Sequence, residues 1–129
     1  MSVTISLIVN VQIPGGPKVS STQTLDVAGY DSNEYVIPHG GADHTVDVQP
    51  SDASHVKLLL ISADHYADTL TYKVKDETGT GTHAVKLDTQ QLLVGAGAMS
   101  LLEKAPKQLV FNNGGAADAT VQILVGRSA

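Results

Sequence analysis

Within residues 3–13 an apolar side chain recurs at every second position, Val3, Ile5, Leu7, Val9, Val11 and Ile13, with Thr4, Ser6, Asn10 and Gln12 between them. A period of two sends alternate side chains to opposite faces, so the stretch predicts a β-strand with one buried face, interrupted only by Ile8. Pro14-Gly15-Gly16-Pro17 then ends the strand in a loop or sharp turn, because the prolines remove ladder donors and the glycines tolerate positive φ. Residues 22–28 alternate again and stop at Gly29, which predicts a second strand, and Tyr30-Asp31-Ser32-Asn33 reads as a turn.

Residues 34–37 and 44–48 predict two short strands joined by a turn at Gly40-Gly41. Residues 56–61 are apolar apart from Lys57, the pattern of a central strand covered on both faces or of a strand that also meets a partner chain. In residues 69–75, Leu70, Tyr72 and Val74 alternate with Thr71, Lys73 and Lys75, and residues 76–81 follow as a turn. Residues 83–87, 92–94 and 99–102 predict short strands. A helix within residues 89–102 is disfavoured, since Gly95 and Gly97 would each cost about 1 kcal/mol. Residues 108–111, the turn Asn112-Asn113-Gly114-Gly115 and residues 119–125 predict a closing hairpin.

The whole predicts an all-β chain of about 8–10 short antiparallel strands arranged as a sandwich or barrel, two sheets sharing one core. No fixed-period repeat occurs, which excludes a solenoid or propeller. With 129 residues one core is expected, so residues 1–129 are read as a single domain. Only five residues are aromatic and none is Trp, so that core must be built from Val, Leu, Ile and Ala.

Eight Lys+Arg against thirteen Asp+Glu leave a net charge of -5, the wrong sign for holding phosphate backbones, and no nucleic-acid partner is expected. The absence of cysteine removes disulfides, thiolate metal sites and cysteine nucleophiles together. No run approaches the roughly 20 apolar residues of a membrane span, so no membrane partner is expected, and the start shows neither the basic nor the apolar region of a secretory signal.

Candidate chemistry is sparse. His39, Asp43 and His44 fall within six residues and contain the donor types of a divalent-metal shell, but the glycines between them and a strand beginning at His44 would aim the two imidazoles independently. Asp64, His65 and Asp68 share a loop where loop polarity is the simpler reading, with Asp64 holding a turn and Tyr66 packing on the sandwich end. Asp52, Ser54 and His55 are adjacent without a nucleophile elbow. Gly79-Thr80-Gly81 and Gly95-Ala96-Gly97 are too short for phosphate loops. Lys73, Lys75, Lys104 and Lys107 read as solubilising or edge-protecting charges. No catalytic, cofactor-binding or metal residue is therefore expected.

The order of features resembles the decoration (cement) proteins of tailed double-stranded DNA phage capsids. The likeness is carried by the Thr/Ser-rich early strand into Asp26-Val27-Ala28-Gly29-Tyr30 and by Val56-Lys57-Leu58-Leu59-Leu60-Ile61-Ser62, a polar loop and Leu70-Thr71-Tyr72-Lys73-Val74. The turn Asn112 to Gly115 into a closing strand completes it. The resemblance implies a jelly-roll β-sandwich, without catalysis, that binds the phage major capsid protein on the outer capsid surface as a homo-oligomer, a dimer or trimer, and stiffens the virion shell. The long first strand, with Val3, Ile5 and Leu7, is then the edge expected to pair with a neighbour, its first residues extending as an arm. A non-catalytic carbohydrate- or receptor-binding sandwich from a phage fibre or baseplate is the alternative. A cupin-type enzyme would gather several His and a Glu inside a barrel, whereas the five histidines here are expected on loops and strand ends.

Overall fold

A computed structural model of the protein describes residues 3–48 and 55–128. The opening alternation is realised as β1 (Val3–Gln12), paired antiparallel along its whole length with β2 (Lys18–Val27), Val3 opposite Val27 and Gln12 opposite Lys18. The turn between them is closed by the Gly16 amide, which donates to the Ile13 carbonyl at 2.8 Å, and Gly15 takes a φ of 74° that suits a residue without Cβ. β2 starts four residues before the predicted strand because β1 supplies a ladder partner for each polar residue from Lys18 onward.

β3 (Gly29–Ile37) follows directly, then β4 (Asp43–Asp47), β5 (Val56–Ala63), β6 (Leu70–Asp76), β7 (Gly79–Thr80), β8 (Val85–Lys86) and β9 (Gln91–Val94). A short helix, α1 (Gly95–Met99), precedes β10 (Gln108–Asn113) and β11 (Ala119–Arg127). The turn expected at residues 30–33 is strand instead, since Asp31, Ser32 and Asn33 pair with Val125, Leu124 and Ile123. One sheet runs β3-β11-β5-β9, the other β4-β10-β6-β7 with β8 also on β6, and every pairing is antiparallel. The chain is an all-β sandwich.

The two sheets face each other through alternate side chains. Leu59, Ile61, Val121, Ile123 and Val125 come from one sheet, and Tyr72, Leu109 and Phe111 from the other. The Tyr72 and Phe111 rings meet at 5.6 Å and 49°, a tilted aromatic pair at the centre of an otherwise aliphatic interior. β5 is central as expected, lying between β11 and β9 with Leu58, Leu59 and Ile61 all buried.

Three further expectations are corrected. The turn at residues 112–115 does not close a hairpin: β10 and β11 lie in different sheets, and the chain crosses between them. Asn113, 3% exposed, fixes this corner by donating to the Ile37 carbonyl at 3.0 Å and the Ala117 carbonyl at 2.9 Å, while accepting from the Gly115 amide at 3.0 Å. β3 and β4 likewise belong to different sheets and form no hairpin across Gly40-Gly41. Residues 95–99 are helical and residues 99–102 are not a strand, because Met99 and Leu102 pack against the core and that packing overrides the glycine cost.

Candidate interaction surface

The register of β1 with β2 defines two faces of the hairpin. Val3, Ile5, Leu7, Val9 and Val11 share one face with Val19, Leu25 and Val27, while Thr4, Ser6, Asn10 and Thr24 lie on the other. The polar face is laced by Thr4 Oγ1 donating to Asp26 Oδ1 at 3.0 Å and by the Ser20 hydroxyl donating to Asn10. The apolar face covers the outside of the β3-β11-β5-β9 sheet at its base. A Cβ at Gly126 would stand 3.1 Å from Ile5 Cδ1 and 3.3 Å from Val27 Cγ1, so the glycine lets the hairpin approach.

Burial under the hairpin is confined to this base. Val27 and Leu58 are buried, and Val3, Ile5 and Leu7 are half-buried. Farther out Val9, Val11 and Val19 are 37%, 49% and 60% exposed. The buried face predicted for the whole first strand is thus buried only in part, because the hairpin outruns the sheet beneath it. Between hairpin and sheet lies a cleft of about 460 Å³, bordered by Leu7, Val9, Leu60, Leu92 and Leu124. Residues 3–6 do not extend as a separate arm: they pair with residues 24–27, and the projecting element is the hairpin tip. Residues 1 and 2 lie outside the described residues. The missed tip residues had one sequence signal, Val11 and Val19 flanking a Pro-Gly-Gly-Pro turn.

The polar candidates are dispersed. The His39 ring meets Asp118 Oδ1 at 2.7 Å and its amide donates to the same oxygen at 3.0 Å, which holds the Asp118 carboxyl below its ordinary range. His44 sits on β4 opposite Phe111, and Asp43 accepts from Asn112 Nδ2 at 3.0 Å. Among the described residues no three His, Asp or Glu side chains form a metal shell. Asp64 clips the end of β5 to β11, accepting from the Thr120 amide at 2.8 Å, so it holds a neighbouring strand and not its own turn. Tyr66, 40% exposed, borders a shallow depression with Ala116 and Ala117 at one end of the sandwich. Asp52 and Ser54 lie outside the described residues.

Two further carboxylates organise loops. Glu103 accepts from the His83 and Thr82 amides at 3.0 and 3.1 Å and from the Thr82 hydroxyl, and these bonds lower its pKa. Asp76 is lowered by the Thr78 hydroxyl and amide and by Lys104, whose Nζ is 3.5 Å away. Lys73 stays exposed on β6.

No protein-family model, curated protein or solved structure matches the chain. Among the described residues no helix is long and apolar enough to cross a membrane.

Proposed function

We propose that the chain is a virion structural protein of decoration type, which binds the outer surface of an assembled phage capsid through the major capsid protein and stabilises it. The observation that carries this reading is where the exposed apolar side chains lie. Most of them occupy projecting and edge positions, Ile8, Val11, Ile13 and Val19 on the hairpin and Tyr30 and Val36 on the edge strand β3, with Leu101 and Tyr66 on loops, which suits extended contacts better than enclosure of a small molecule. An acidic chain also suits the outside of a particle better than its DNA. The repeated crossing between sheets, as from β3 to β4 and from β10 to β11, supports the jelly-roll form of the sandwich.

Each copy needs only an ordinary interface, since many copies on one particle act together. Co-sedimentation with shells assembled from the major capsid protein of the same genome tests the reading. Saturable occupancy and shells that withstand more heat are expected; a protein left in the supernatant at all concentrations contradicts it.

A further inference from the structure

We infer that residues 95–106 form a strap that opens as a unit while the sandwich stays folded, and that the Glu103 carboxylate is the latch that holds it closed. The strap carries the chain from the end of β9 in one sheet to the start of β10 in the other, and so crosses the gap between the sheets. It starts at Gly95, whose φ of 87° suits a residue without Cβ, and finishes at the buried Pro106. Its turn hydrogen bonds stay within it: the Ser100, Leu101 and Leu102 amides donate to the Ala96, Ala98 and Met99 carbonyls. Helix α1 has no side-chain cap and no buried residue, and the strap meets the core through Met99 and Leu102, both only partly buried.

Packing around the strap is loose. A hollow of about 280 Å³ lies on one side, among Val56, Ala96, Met99 and Pro106, and one of about 290 Å³ on the other, among Tyr72, Val74, Val85 and Leu93. Leu102 and Glu103 border both, so lifting the strap joins them into one apolar slot at the edge of the core. Segments with few buried apolar contacts open at a fraction of the free energy of global unfolding. What opposes opening is polar. Glu103 accepts from the Thr82 and His83 amides and from the Thr82 hydroxyl, charge-assisted bonds that tie the strap to the loop before β8, and Lys104 adds a contact with Thr78 at 3.0 Å. Gly81 completes the latch, because a Cβ there would collide with Glu103 Oε2.

The inference is read on the free protein, apart from any shell. Native-state hydrogen exchange is followed at the Ser100, Leu101 and Leu102 amides, none of which bonds to Glu103, and at the amides of β5 and β11. The strap amides are expected to exchange faster than those of the core, with little dependence on dilute urea, as a small opening requires. Glu103→Ala and Gly81→Ala should each speed them at least about tenfold. Asn113→Ala, whose lost bonds lie outside the strap and survive its opening, should speed the core amides and leave the strap amides at the wild-type rate. Strap amides that exchange only at the core rate, that ignore either latch substitution, or that follow Asn113→Ala overturn the inference.

Discussion

Ile5 packs over Gly126 where the hairpin meets the sandwich: a Cβ on the glycine would lie 3.1 Å from the isoleucine Cδ1. Gly126→Val therefore forces the hairpin base off the sheet. A loss of about 1–3 kcal/mol is expected from overpacking, read as a lower urea midpoint. Adding Ile5→Ala to that variant recovers part of the loss, because it empties the space that the new methyls need.

Asn113 ties the crossing from β10 to β11 to the end of β3 through three hydrogen bonds. Asn113→Ala leaves the Ile37 and Ala117 carbonyls without this donor, and a cost of about 1–3 kcal/mol is expected in chemical denaturation.

Asp76, Glu103 and Asp118 all titrate below their ordinary values in the folded chain. Their contribution to stability is present above the unfolded carboxylate range and is lost as pH falls through the lowered folded values. Thermal midpoints should hold between about pH 5 and 7 and fall from about pH 4 downward. Glu103→Gln should lower the neutral-pH midpoint and make the acid decline shallower; an unchanged acid slope would count against the Glu103 anchor.

Burial pushes the Tyr72 phenol from 10.0 up to about 12, and its hydroxyl donates to Gln91 at 2.6 Å. A raised folded pKa means that stability is complete below the unfolded value and is lost as pH rises from about 10 towards 12, by roughly 2–3 kcal/mol for this group. Tyr72→Phe should be slightly less stable at pH 7 and lose less stability at alkaline pH, measured by urea denaturation at both.

The alternation of residues 3–13 and 119–125 made those strands legible, because period-two burial is written in the residues themselves. The crossing at residues 112–115 was not, since Asn and Gly specify that a chain turns and leave open which sheet it joins next. Helix α1 depends on the packing of Met99 and Leu102, a tertiary effect that local propensity opposes. The His39–Asp118 contact joins residues 79 apart, beyond the reach of any local motif. Val3, Ile5 and Leu7 were visible as an apolar row, but how much of that row the sheet covers depends on where β1 and β2 stand over β5 and β11.

Electron cryomicroscopy of capsid shells saturated with the protein tests the account most directly. Density for the sandwich on the outside of the shell is the predicted result. Bare shells under saturating protein would contradict the decoration reading.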